Sequence, residues 1–218
     1  MCARFQIYSE EEIIEMREII NEVSKKFGNG AVSTGEIAPT NFAPILMMDG
    51  NRLAPSPASF GFPKWDGSGV LINARSESAL EKPMFSKPLL TRRCVIPSVG
   101  FYEWAYESMV TLEQQMTMFQ TENKPPAKEP KVKLFFRRPD EPMLYMAGMV
   151  NTFKDKSGHE QDSFVVLTTD AKHAIARFHD RMPVIITADE REEWLTSETF
   201  MREVLTREGS ELEWRKAG

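Results

Sequence analysis

The chain has 218 residues, 41% of them hydrophobic and 27% charged, a globular balance that excludes collagen-like, coiled-coil and fully disordered chains. It has no apolar run of about 18 residues to span a membrane, no apolar leader after Met1, and two cysteines that form neither a disulfide framework nor a Cys-x-x-Cys zinc spacing. The net charge of −5 argues weakly against nucleic acid, yet segments 9–27 (−3) and 189–218 (−4) hold all of the excess acid and leave the remainder at +2.

These features predict a protein of a reducing cytoplasm with a single domain over 1–218, long enough to bury a sizeable core. The first element is a helix over roughly 9–27. Ser9 and Glu12 have capping-box spacing, and Ile13, Met16, Ile20, Val23 and Phe27 share one face before the stop at Gly28-Asn29-Gly30. From 36 to 69 the chain is dense in proline and glycine, which predicts short strands and ordered loops. Val70-Leu71-Ile72 reads as a strand running into Asn73-Ala74-Arg75, and Cys94–Ile96 and Gly100–Trp104 as strands punctuated by Pro97.

Residues 107–133 stand apart, with Lys124-Pro125-Pro126-Ala127-Lys128-Glu129-Pro130 reading as a solvated loop or insertion. Leu134–Phe136 and Met143–Gly148 are expected to pair across a turn at Pro139-Asp140-Glu141. Ser163–Thr169 is a further strand, Ala171–Phe178 a short helix and Val184–Ile186 a strand. Asp189 with Glu192 caps a helix carrying Trp194 and Leu195, and a last helix runs from about 197 to 206. Strands without regular βαβ alternation predict an α+β fold, a largely antiparallel sheet or barrel-like core with flanking helices.

Cys2 is the most informative position for chemistry. Once Met1 is removed, it presents a thiol and an α-amine of pKa about 7.7–8.0, a 1,2-aminothiol that condenses with aldehydes to a thiazolidine ring. The alternative is an incidental second residue. Cys94, inside an apolar strand, reads as a core thiol. Arg4 lies two residues after Cys2 and either holds a phosphate or faces solvent. Asn73 and Arg75 share one strand face, an amide and a planar fork suited to phosphate, or else close the strand in a turn.

Glu103 is an acid within an aromatic strand. Pointing inward it would carry a raised pKa useful for proton transfer; pointing outward it is an ordinary carboxylate. Of the three histidines, His159 reads as solvated and His173 has no evident partner. His179 sits at a helix-to-strand junction, where sites often form. No Gly-rich phosphate loop and no HExxH or GxSxG motif is present, and the scattered Cys and His residues offer no metal-ligand spacing.

An ordered set of segments carries a resemblance. It comprises Met1-Cys2-Ala3-Arg4-Phe5, Ala43-Pro44-Ile45-Leu46, Phe60-Gly61-Phe62-Pro63-Lys64-Trp65, Ile72-Asn73-Ala74-Arg75-Ser76-Glu77, Arg93 to Trp104, and His179-Asp180-Arg181-Met182-Pro183. Together they resemble the SOS response-associated peptidase (SRAP) family of abasic-site processing proteins, in which length varies where 107–133 falls.

The resemblance implies that mature Cys2 attacks the ring-opened sugar aldehyde of an abasic site and closes a thiazolidine, a DNA–protein crosslink within the DNA-damage (SOS) response. It implies that Asn73 positions the terminus and sugar, that Glu103 shuttles protons, and that His179 acts as acid and base in sugar opening and crosslink reversal. Arg4, Arg75 and Arg181 match phosphate-gripping positions, and Trp65 and Phe60 match surfaces for stacking of bases in single-stranded DNA. Lyase activity by β-elimination follows from the same Schiff base. The sequence departs from the family pattern at Ala3, where glycine is usual, and at Phe60, where tryptophan is common.

The expected partner is therefore single-stranded DNA containing abasic sites, met by a monomer without cofactor, metal or membrane, in the cytoplasm and at the nucleoid when acting on DNA. Two other readings stand beside it. One is a cysteine (auto)peptidase that removes its own Met1 with Cys2, His179 and Glu103 as nucleophile, base and orienter. The other is a non-covalent, salt-dependent DNA-binding or protein-binding module in which Cys2 is incidental.

Overall fold

Alternating and β-branched runs fold into strands that two sets of helices flank, and the computed structural model describes residues 3–7, 13–115, 129–154 and 157–217. In chain order, β1 (Arg4–Gln6) leads to α1 (Ile14–Phe27), β2 (Glu36–Ile37) and a hairpin of β3 (Phe42–Asp49) and β4 (Arg52–Phe60). A ribbon of β5 (Phe62–Pro63) and β6 (Val70–Leu71) precedes β7 (Asn73–Arg75), a 3₁₀ turn at Ser76–Glu81 and α2 (Pro83–Thr91). Next come β8 (Arg93–Ser98), β9 (Gly100–Tyr106), α3 (Glu107–Gln115), β10 (Lys131–Arg137), β11 (Leu144–Lys154) and β12 (Glu160–Asp170). A 3₁₀ turn at His173–Arg177, β13 (Arg181–Pro183), β14 (Ile185–Ile186), α4 (Arg191–Thr196), α5 (Glu198–Thr206) and β15 (Glu213–Lys216) complete the order.

Five strands close on themselves. β4 pairs with β3, β3 with β8, β8 with β11, β11 with β12, and β12 returns to β4 in the single parallel contact of the ring. Closure satisfies the strand edges. At Gly148 a Cβ would come within 2.6 Å of the Val165 carbonyl, so a side chain has no room where β11 passes between β8 and β12. A second, open sheet has the order β15-β10-β9-β1-β2, antiparallel throughout. The architecture is α+β with a largely antiparallel, barrel-like core, as expected.

Aromatic side chains join the two sheets. Phe60 and Phe164 from the ring stack at 5.1 Å, and Phe5 from β1 meets both edge-on at 5.4 and 6.3 Å. Under the open sheet, Phe101 stacks on Phe136 at 5.4 Å, and Phe178 bridges Phe136 and Trp214.

Several expectations need correction. Helix α1 is described from Ile14, and the Ser9–Glu12 capping box lies outside the described residues. Its buried face is Met16, Ile19 and Val23, while Phe27 at the last turn is exposed. The Pro-rich 36–69 region holds two long strands rather than short ones. Pro44, Pro55 and Pro57 are accommodated because β3 meets β8 only at Leu46, and β4 meets β12 only at Ser59 and Phe60, so their missing N–H groups break no second ladder.

The expected hairpin of Leu134–Phe136 with Met143–Gly148 does not form. β10 pairs with β9 and β15, whereas β11 enters the ring, because each buries its apolar residues against a different neighbour. Ala171–Phe178 contains a 3₁₀ turn rather than a helix. Glu190, not Asp189, stands at the N-cap of α4, and its carboxylate accepts the Thr187 N–H. Ser197 caps α5 by accepting from Phe200 N at 3.1 Å. Residues 116–128 of the expected insertion lie outside the described residues; its flanks form α3 and the start of β10. No helix among the described residues is long and apolar enough to cross a membrane.

Candidate active site

Alternation along β9 decides which way Glu103 points. Phe101, Glu103 and Ala105 face inward and are buried, while Tyr102, Trp104 and Tyr106 face outward. Glu103 is only 4% exposed. Burial pushes its carboxyl above the usual carboxylate range, and the nearby His179 pulls in the opposite direction without reversing it.

His179 arrives at Glu103 from the other side of the chain. The 3₁₀ turn ends with Phe178 and His179 both donating their N–H groups to the Ile175 carbonyl at 2.9 Å, which aims the imidazole across the sheet. Its Nε2 lies 3.8 Å from Glu103 Oε2. Its Nδ1 accepts the Arg181 backbone N–H at 3.0 Å. Asp180 Oδ1 stands 2.9 Å from the same Nδ1. The pair opens into a cleft of about 490 Å³ lined also by Trp104, Tyr106, Met109, Lys131 and Phe178.

The beginning of the chain runs beside this pair. Gln6 lies opposite Gly100, Phe5 opposite Phe101 and Arg4 opposite Tyr102, so β1 leads back toward the Glu103 end of β9. Cys2 itself lies outside the described residues. Asn73 opens β7 opposite Val166 of β12, half-buried, with Arg75 two residues on and exposed on the same face.

Two of the expected DNA contacts are placed otherwise. Phe60 has no exposed surface and packs between Phe5 and Phe164, so it offers no face to a base. Arg181 is also buried, its side chain 7% exposed, and is held by both carboxylate oxygens of Glu77 at 2.8 Å, by Asp170 at 2.5 Å and by the Thr168 carbonyl at 2.6 Å. A guanidinium so engaged is no free phosphate grip. Arg4 bonds Glu36 at 2.9 Å and stays partly exposed. Trp65 is 96% exposed on the loop between β5 and β6 and is available to stack.

Cys94 is wholly buried, and burial pushes its thiol up, which fits a core residue. Glu77 and Asp170 were not singled out as functional. Glu77 was legible as the last residue of the Ile72-Asn73-Ala74-Arg75-Ser76-Glu77 segment, whereas nothing local marks Asp170, which reaches Arg181 through the β12–β13 pairing. Among the described residues, no group of three or more His, Cys, Asp or Glu side chains is arranged to hold a metal.

Comparison with known proteins places this geometry in context. The abasic site processing protein YoaM of Bacillus subtilis is 27% identical over 94% of this chain and 85% of its own length. The abasic site processing protein YedK of Escherichia coli is 25% identical over 93% and 83%. A crystal structure of a protein from Bacteroides thetaiotaomicron superposes with a TM-score of 0.71 at 22% identity, covering 99% of this chain and 91% of that one. Residues 1–217 match the profile described as SOS response associated peptidase (SRAP), and the chain belongs to that family.

Proposed function

We propose that this chain processes abasic sites in DNA by closing a thiazolidine between mature Cys2 and the aldehyde of the lesion sugar. Relatives named abasic site processing proteins support the substrate. The observation that carries the chemistry is the buried Glu103 facing His179, 3.8 Å away, at the end of β9 toward which β1 leads. Removal of Met1 frees the Cys2 α-amine. The amine adds to the C1′ aldehyde to give a carbinolamine, and loss of its hydroxyl as water, with a proton from Glu103, gives the Schiff base. The Schiff base so formed keeps one hydrogen on its nitrogen; the thiol proton passes to the resulting Glu103 carboxylate and Sγ bonds the iminium carbon, so that one water is lost overall.

The raised carboxyl of Glu103 suits both directions of this transfer. His179, whose Nε2 faces Glu103, is suited to open the sugar ring and to reverse the link. Asn73 would orient the sugar, and Arg4, Arg75 and Trp65 would contact the flanking strand. The reading extends to single-stranded DNA in the SOS response and to β-elimination from the Schiff base.

Incubation with single-stranded DNA bearing one abasic site, followed by a denaturing gel, tests it. A retarded band is expected that disappears in Cys2→Ala and slows more than tenfold in Glu103→Gln. A band unchanged in Cys2→Ala would overturn the mechanism. Steady peptide turnover lost in Cys2→Ala would favour a thiol peptidase built on the same pair, and intact mass of Glu103→Ala reads whether Met1 removal is the chain's own reaction.

A further inference from the structure

Residues 171–183 carry His179, and the last part of the chain packs against that stretch near its beginning, middle and end. Lys172 pairs with Glu208 at 3.8 Å. The ring of Phe178 meets that of Trp214 edge-on, with 5.0 Å between centres. Met182 is wholly buried and lies so close to Gly209 that a Cβ there would stand 2.2 Å from its Sδ. The ion pair is exposed and contributes little, so the apolar contacts supply the hold.

Strand register explains why Trp214 is there. Phe136 of β10 lies opposite both Phe101 of β9 and Trp214 of β15, so the three rings form one row across the inner face of the open sheet. The next inner row, two residues along, begins with Glu103 and Leu134. Phe178 closes on the row of rings, 6.1 Å from Phe136 and 5.0 Å from Trp214, and is nearly buried by them. Phe178 also lines the cleft that holds Glu103 and His179; Trp214 does not. Phe178 and His179 are consecutive and donate to one carbonyl, that of Ile175, at 2.9 Å. Two donors on one acceptor fix the distance of this corner from Ile175 better than its rotation, and the seated Phe178 ring restrains that rotation.

We infer that Trp214 is a positioning residue for His179: by seating Phe178 it holds His179 Nε2 at its 3.8 Å approach to Glu103 Oε2. The inference rests on the abasic-DNA reading for what the pair does. At this separation the two groups stand just beyond direct hydrogen-bond reach, and a misplacement of about 1 Å costs up to about a hundredfold in rate. Leucine at 214 leaves a gap beside Phe178 and offers no ring edge, whereas phenylalanine keeps an edge-on aromatic partner.

Rates of covalent band formation over a concentration series of a single-stranded abasic oligonucleotide test the role. In Trp214→Leu the rate at saturation is expected to fall about tenfold with the half-saturating concentration unchanged, and in Trp214→Phe to return to within about threefold of the wild type. The double variant Trp214→Leu/Phe178→Leu should be no slower than Phe178→Leu alone, since one ring acts through the other. Carbethoxylation by diethylpyrocarbonate, read by mass spectrometry, reports the imidazole without DNA. His179, its side chain 21% exposed, should react several-fold faster in Trp214→Leu, while the exposed His159 serves as the unchanged control. Melting curves check folding, and Phe178→Leu carries the labelling test if Trp214→Leu does not fold.

Wild-type rate and wild-type labelling of His179 in these variants overturn the inference. So does a raised half-saturating concentration with an unchanged saturated rate, which makes Trp214 a DNA contact, and so does additive slowing in the double variant. The abasic-DNA reading fails separately: wild-type protein that forms no covalent band, while Trp214→Leu still opens His179 to labelling, refutes the chemistry and leaves the positioning.

Discussion

Two buried arginines show how one side chain does different work in different company. Arg93 opens β8, is only 6% exposed, and donates to the Trp194 carbonyl at 2.5 Å, to Leu89 and Leu90 at 3.0 and 3.2 Å, and to Leu195 at 3.1 Å. Those carbonyls lie in the last turns of α2 and α4, where a helix has acceptors without internal donors and a partial negative charge. Trp194 in turn donates its Nε1–H to the Cys94 carbonyl at 2.9 Å and locks α4 on the ring. Burial pushes the Arg93 guanidinium below its usual value, with the charge of Glu198 opposing.

Arg181 is equally buried but held by carboxylates. Burial opposes its charge, yet Glu77 first and Asp170 second outweigh burial and push it above its usual value. Burial likewise opposes ionisation of Glu77, and Arg181 outweighs it, so that this carboxyl falls below the usual range. The backbone N–H of Arg181 donates to His179 Nδ1 at 3.0 Å. One arginine therefore clasps two helix ends through dipoles, and the other anchors the strand beside the acid–base pair through charges. Partner chemistry, not burial, separates the two positions.

Mutation can break this contrast. Arg93→Ala leaves up to four carbonyls without their donor as well as a cavity, and is expected to cost about 3–5 kcal/mol in urea unfolding, with the crosslinking rate of the folded fraction unchanged. Arg181→Met should cost less, about 1–2 kcal/mol, because the Glu77 and Asp170 carboxylates are exposed enough to rehydrate. Its crosslinking rate should nonetheless fall more than tenfold, because β13, whose backbone bonds the His179 ring, loses its side-chain anchor to Glu77 and Asp170. Equal effects of both variants on rate would erase the distinction.

Glu103→Gln should move stability the other way. Because burial raises its pKa, folded protein holds the Glu103 proton more tightly than the unfolded chain. The penalty for ionising it is absent below the unfolded value and grows as pH rises through the folded one. The variant should therefore melt like the wild type near pH 4 and a few degrees higher near pH 8, while losing activity; a lower melting temperature at pH 8 would contradict the assignment. The smallest effect belongs to the exposed Arg202–Glu198 pair, one helical turn apart on α5 at 2.7 Å, where Glu198→Gln should cost about 0.3–0.5 kcal/mol and fade with added salt.

Local pattern carried much of the strand content. The β-branched run Ser163–Thr169 is the heart of β12, Gly100–Trp104 is most of β9, and Ser197 starts α5. Helix α2 escaped notice because Pro83 and Pro88 interrupt its periodicity, although Pro83 suits a first turn. The β3–β4 hairpin escaped because three prolines mask it, and the pairing of β10 was misassigned because a short turn next to it suggested a nearer partner. For the candidate site, residue types and order identified Glu103 and His179 as candidates. They left open whether Glu103 faced in or out, and they made Phe60 and Arg181 look like DNA contacts when both are buried.

The sequence by itself determined the strand-rich α+β class and the uneven distribution of charge, because these depend on residue identity and near-neighbour spacing. Only the tertiary structure decided that five strands close into a ring and that Glu103 and His179 meet across 76 positions of chain. Those outcomes depend on long-range register and burial, where the apolar side of each strand chooses among distant partners and carries its polar residues with it.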